Sequence, residues 1–146
     1  MCDEEANDIG ELAPDELVIY RACSKSTFLT PAKDAVGEVA FQKDGRNHKD
    51  GLSLAISVDE SVRHLSKNHG VIRITVGDIR RLERNLEVRF YASDHLHVVI
   101  RNLPCMDRTL EEKELALMVA AELAGKAEIE SKSPVPKPVQ PVEPPE

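Results

Sequence analysis

Leu86, Val88 and Phe90 alternate with Glu87, Arg89 and Tyr91, and a period of two is the mark of a strand with one face on a core and the other in water. Wound into a helix, the same spacing would scatter those apolar side chains around the axis. Further strands are expected at Leu17 to Ala22, Val39 to Gln42, Leu52 to Ile56, Val71 to Val76 and His95 to Asn102. Capping boxes announce two helices: Ser57 with Glu60 opens one that runs towards Lys67, and Thr109 with Glu112 opens one that runs towards Lys126. In the second, Leu110, Leu117, Met118, Ala121 and Ala124 form an apolar stripe broken by Glu114, and a helical turn is expected at Asp78 to Leu82. Helices and strands do not strictly alternate, so the expected fold is α+β, a mostly antiparallel sheet of about six strands with two main helices.

The two ends differ from the middle. Residues 1–16 hold seven acids and no Lys or Arg, and residues 131–146 hold six prolines. Neither composition buries enough apolar surface to offset the entropy of ordering, and proline favours extended polyproline II backbone. The expected layout is a flexible acidic lead over 1–15, a single domain over 16–128, and a Pro-rich disordered tail over 129–146. In the tail, Pro138-Val-Gln-Pro141 and Pro141-Val-Glu-Pro144 fit a loose recognition pattern for protein partners.

Charge narrows the classes of function. The chain carries a net charge of -7, yet residues 17–108 hold fifteen Lys and Arg against eleven Asp and Glu. A mildly basic body tolerates a small anionic ligand and argues against strong nucleic-acid binding. No apolar run has the length of a membrane span, and the N-terminus is acidic rather than basic-then-apolar, so no membrane partner is expected. Cys2, Cys23 and Cys105 form no Cys-x-x-Cys pair; they read as reduced thiols of a cytoplasmic protein.

Several residues could carry chemistry. His95 and His97 stand one residue apart, so on a strand both imidazoles, with Val99 and Arg101, share a face, while Leu96, Val98 and Ile100 fill a core. Such a pair is solvated or satisfied in the core, or meets an organic ligand or, with a third ligand, zinc. His48, His64, His69 and Asp94 supply no metal-ligand pattern, so no metal is expected. Tyr20-Arg21 ends the first expected strand, and its guanidinium either reaches solvent, pairs with an acid or grips an anionic ligand. In Gly51-Leu52-Ser53-Leu54, glycine permits close backbone approach, and the Ser53 hydroxyl either bonds a neighbouring strand or meets a ribose or phosphate. No Gly-x-Ser-x-Gly elbow supports serine hydrolysis. Arg80, Arg81 and Arg84 read as a solvated face. The polar stretch 43–51, with two Asp-Gly steps, reads as a loop that overhangs a site.

The order Tyr20-Arg21, Phe41, Gly51-Leu52-Ser53-Leu54, Gly70-Val71-Ile72-Arg73-Ile74 and His97-Val98-Val99-Ile100 is similar to small bacterial proteins of toxin and mobile-element neighbourhoods. It also resembles the ADP-ribosyltransferase-like superfamily, in which a first-strand Arg or His, a second-strand Ser or Tyr and a later polar residue surround an NAD-shaped cleft. The resemblance implies an NAD or other nucleotide ligand and gives those roles to Arg21, Ser53 and His97, with Tyr20, His95 and Arg101 as further ligand contacts. Transferases of that superfamily place a Glu on the late strand, where this chain offers His95 and His97. Its RNA 2'-phosphotransferases work without the Glu, using a His and Arg set that Arg21, His95, His97 and Arg101 partly match. Two other readings stand beside this one: a non-enzymatic interaction or immunity-type module that engages a protein partner through its Pro-rich tail, and a zinc hydrolase built on His95 and His97.

Overall fold

The computed structural model describes residues 4–46 and 48–138. Seven strands form one antiparallel sheet: β1 (Ile9–Leu12), β2 (Val18–Ala22), β3 (Leu52–Ala55), β4 (Val71–Thr75), β5 (Glu87–Tyr91), β6 (His97–Arg101) and β7 (Glu128–Ser131), in the order β1-β5-β6-β3-β2-β4-β7. Three α-helices accompany it: α1 (Val58–Val62), α2 (Val76–Arg80) and α3 (Leu110–Lys126). The α+β class and the antiparallel sheet stand as expected, and the alternation in β5 buries Val88 while Glu87 and Arg89 stay half-exposed.

The core lies on one face of the sheet, where Ile19, Leu52, Leu54, Ile72, Ile74, Val88, Val98 and Ile100 meet α3 and the 3-10 turn at Glu38–Phe41. That turn replaces the strand expected at Val39 to Gln42. Its adjacent Ala40 and Phe41 are both buried, whereas successive side chains of a strand point to opposite faces of the sheet. In α3 the buried positions are Ala116, Val119, Ala120 and Leu123, while Leu110 and Met118 are exposed. The helix is therefore rotated from the expected stripe. Its small alanines let it lie close to the 3-10 turn, where larger side chains would hold it away. Ser57 caps α1 as expected, its hydroxyl accepting from the Glu60 amide at 3.2 Å, but the helix ends at Val62 instead of running towards Lys67.

The ends are tied down further than composition suggested. Ile9 pairs with Tyr91 and Leu12 with Arg89, which makes part of the expected flexible lead an edge strand. β7 lies antiparallel to β4, and Arg73 bridges Glu128 and Glu130 from the facing strand, so the expected tail boundary at 129 falls inside a strand. The two partner-recognition patterns of the tail extend beyond the described residues. Cys23 is a buried free thiol. Cys105 is disulfide-bonded, which corrects the reading of every cysteine as reduced. Among the described residues, no helix is long and apolar enough to cross a membrane.

Gly51 enters β3 at φ +127, and a Cβ there would stand 2.4 Å from the Ile100 carbonyl oxygen on β6. Gly51→Ala is expected to lower stability by about 3 kcal/mol, since the backbone region is open essentially to glycine alone and the clash is with backbone that cannot yield. A urea midpoint unchanged from wild type would refute this.

Candidate functional site

Register fixes which side chains share a face. Tyr20 pairs with Ala55, Ala55 with His97, and Ser53 with Val99, so Tyr20, Ser53, Ala55 and His97 project from the side of the sheet opposite the main core. α1 folds over this side. Together these elements enclose a cavity of about 360 Å³, lined by Tyr20, Arg21, Ser24, Ser53, Glu60, His64, Leu65 and His97 among others.

Arg21 belongs by strand alternation to the other face, yet it reaches this cavity because β2 and β3 are matched only at Tyr20 and Ala55 and then part. The guanidinium fills the parting. Its Nη1 donates to the Ser53 carbonyl at 2.9 Å, and its carbon lies 5.2 Å from the centre of the Phe28 ring, a cation-π distance. Its Nε is buried and makes no hydrogen bond, and among the described residues no carboxylate lies within ion-pair distance of it. Burial without a counter-ion lowers its pKa to about 10, with the Cys23 sulfur opposing that shift. The Cys23 thiol is itself pushed up to about 11 by burial, Arg21 acting in the other direction.

On its far side Arg21 lines a second cavity of about 360 Å³, together with Ser24, Lys25, Phe28, Lys43, Asp44 and His48. The start of the expected overhanging loop thus forms part of a wall. His48 accepts from the Asp44 amide through Nδ1 at 3.0 Å, and burial first, then Arg21, lowers its pKa. With His48 neutral and Lys43 paired with Glu4, the cations Arg21 and Lys25 outnumber the one carboxylate of the lining, Asp44, and leave this second lobe net positive at neutral pH.

The first lobe is different. His97 contacts the Asp94 carboxylate through Nδ1 at 2.7 Å, and its Nε2 stands 3.8 Å from Glu60 Oε2. A carboxylate on Nδ1 favours the tautomer protonated there and leaves Nε2 free to accept a proton. The Leu96 amide, followed by the His97 ring, holds the Asp94 carboxyl below the usual carboxylate range. Glu60 is steadied by Arg63 Nε at 2.6 Å. The His64 ring lies 6.3 Å from that of His97.

Tyr20, Arg21, Ser53 and His97 therefore line one cavity, and two other expected ligand residues do not. His95 precedes β6 in an exposed turn, with its ring 5.7 Å from Phe90; the alternation that joins it to His97 needs an extended backbone, and that begins only at His97. This also removes the shared face on which the zinc reading stood. Among the described residues no group of three His, Cys, Asp or Glu is placed to hold a metal ion. Arg101 Nη1 donates to the carbonyls of Glu5 at 2.9 Å and Asp50 at 3.0 Å, tying the lead to the loop instead of facing either cavity. The Ser53 hydroxyl interacts with the Tyr91 phenol of β5, two strands away across β6. The Arg80 to Arg84 cluster is paired outward, Arg80 with Asp15, Arg81 with Asp78, and Arg84 with Glu122 through both Nε and Nη2. Sequence reasoning passed over Glu60, which read as half of a capping box. Its carboxylate turns instead to Arg63 and His97. No family model, curated protein or solved structure matches this chain.

Proposed function

We propose that the paired cavities bind a nucleotide-derived anion, NAD or a fragment of it, and that the first lobe carries out transferase chemistry of the ADP-ribosyltransferase-like kind. The observation that carries this reading is Arg21: a half-buried guanidinium whose Nε is buried and unpartnered, with no carboxylate in ion-pair distance among the described residues, set at the junction of both cavities. A phosphate is the ligand whose charge and fork-matched oxygens complete such a group. Tyr20 and Ser53 wall the first lobe around the sugar. Glu60 offers there, from α1, the acid that the late strand lacks. An acceptor hydroxyl seated between Glu60 and His97 Nε2 attacks the anomeric carbon of the ribose. The bond from that carbon to nicotinamide breaks, and nicotinamide leaves with the bonding pair as the neutral base. The hydroxyl proton passes to the imidazole, and Asp94 steadies the resulting cation. The association with toxins or mobile elements belongs to the same reading.

Calorimetric titration with NAD, ADP-ribose and AMP tests it. Heat is expected with ADP-ribose at micromolar to millimolar concentrations, and none with any of the three at millimolar ligand would end the proposal. In the His97→Asn protein, binding should persist within about threefold while turnover of NAD falls by about a hundredfold or more, the usual contribution of a positioned base. Equal loss of binding and turnover would deny the imidazole its chemical role.

A further inference from the structure

The chain beyond β7 folds back onto the body, and one side chain receives it. Asn68 is only 8% exposed. Its Nδ2 donates to the Val135 carbonyl at 2.8 Å, and its Oδ1 accepts from the Val135 amide at 2.8 Å and from the Gly70 amide at 3.2 Å. One amide side chain thus pairs with both backbone groups of a single residue, as a neighbouring strand would. The Val135 side chain packs on Ala22, Val62 and Val71. Pro134 and Pro136 flank it; neither has an amide hydrogen to satisfy, and both hold the segment extended before it docks, which lowers the entropy cost of docking. The sequence repeats the Pro-Val step at 138–139 and 141–142.

We propose that Asn68 and the apolar seat beneath Val135 form a binding site for an extended Pro-Val-Pro peptide, filled in cis by the chain's own C-terminal segment. Asn68 reads the backbone, the seat selects a β-branched aliphatic side chain, and the two prolines supply the conformation. The site stands apart from the nucleotide reading and does not depend on it. Tyr20 and Leu65 belong to both the seat's surroundings and the first cavity, so the two sites share a wall.

The test uses the full chain with its own segment displaced. In a Val135→Asp protein, an acetylated peptide of residues 132–137 should shift the backbone amide resonances of Gly70 and Val71. It should bind the wild-type protein about tenfold more weakly or worse, since the resident segment competes at high effective concentration. Adding Asn68→Ala to Val135→Asp should abolish the shifts, as should a peptide with Asp in place of Val. Absence of shifts in Val135→Asp at millimolar peptide, or shifts that survive Asn68→Ala, would overturn the proposal. A second measurement needs no displaced segment: in the otherwise wild-type chain, Asn68→Ala should speed hydrogen exchange at the Val135 amide at least about tenfold, and an unchanged rate would deny the clamp.

Discussion

An Arg21→Met protein is expected to melt no lower than the wild type and to lose its affinity for ADP-ribose. The guanidinium is costly where it stands. It is half-buried, with one neutral hydrogen bond, to the Ser53 carbonyl, and a buried, unpartnered Nε; among the described residues no carboxylate pairs with it, and a desolvated cation without a counter-ion opposes folding. The lowering of its pKa to about 10 by burial expresses the same cost. At neutral pH the group remains charged, because that value lies far above 7. The sign follows from linkage: the unfolded chain holds this proton more tightly, so the contribution of Arg21 to stability is unfavourable at neutral pH and improves only as pH rises above about 10. Methionine removes the charge and keeps a flexible apolar side chain against Phe28, where a thioether packs well. Binding should respond in the opposite direction. A charge-assisted contact to phosphate is worth about 2–3 kcal/mol, so the dissociation constant should rise by roughly 30-fold to 150-fold. Differential scanning fluorimetry with and without ADP-ribose reads both effects at once. A marked fall in the melting temperature without ligand would mean that Arg21 is structural, and an undiminished ligand shift would remove it from the binding site.

Whether sequence could foresee an element depended on whether its cause was local. β5 and β6 were legible because the alternation of Val88 and Phe90 with charged neighbours, and the run Val98 to Ile100, are properties of the strands themselves. The starts of α1 and α3 were legible because Ser57 and Thr109 cap their own helices. β1 and β7 were not. Each is a short edge strand of four residues, Ile-Gly-Glu-Leu in β1 and Glu-Ile-Glu-Ser in β7, too brief for a period to show, and its stability comes from the strand beside it: Tyr91 and Arg89 for β1, and Arg73 between two glutamates for β7. Short, charge-bearing edges are what a sheet uses to stop further pairing, and beside an acidic lead and a Pro-rich tail such segments do not stand out in composition. The buried face of α3 was missed because alanine carries little weight in a stripe of large apolar residues, though it allows the closest approach.

The candidate site divides in the same way. Arg21, Ser53 and His97 could be picked out one by one, as polar residues in apolar strands. Their convergence depends on β2, β3 and β6 being neighbours and on β2 parting from β3 after a single matched pair, which is a property of the sheet. Glu60 was hidden because its backbone amide does what the capping box predicts while its carboxylate does not. Arg101 was over-read. An arginine at the end of a strand has many possible partners, and here two backbone carbonyls claim it.

The largest loss of stability is expected from Lys43→Met. Lys43 is 1% exposed; its ammonium pairs with Glu4 and donates to the Leu103 carbonyl at 3.0 Å. Glu4 is nearly as enclosed: Oε1 accepts from the Asn102 amide at 2.8 Å, and Arg101 Nε stands 3.9 Å away. Removing the ammonium leaves a buried carboxylate with one amide and a distant guanidinium, and breaking such a pair from one side costs about 3–5 kcal/mol. Glu4→Leu should cost a similar amount, since it strands the ammonium against a single carbonyl. Combining Glu4→Leu with Lys43→Met should lose much less than the sum of the two, because an apolar pair of similar volume has no charge to desolvate. Urea unfolding of the four proteins measures this coupling, and simple additivity would show that the two side chains do not depend on each other. The outcome also bears on the second cavity. Lys43 is part of its wall, so the acidic residue that fixes the lead to the body also withdraws one cation from that lobe. The double variant should therefore leave ligand affinity close to wild type, since the ammonium was already neutralised by Glu4, and Arg21 remains to meet the phosphate.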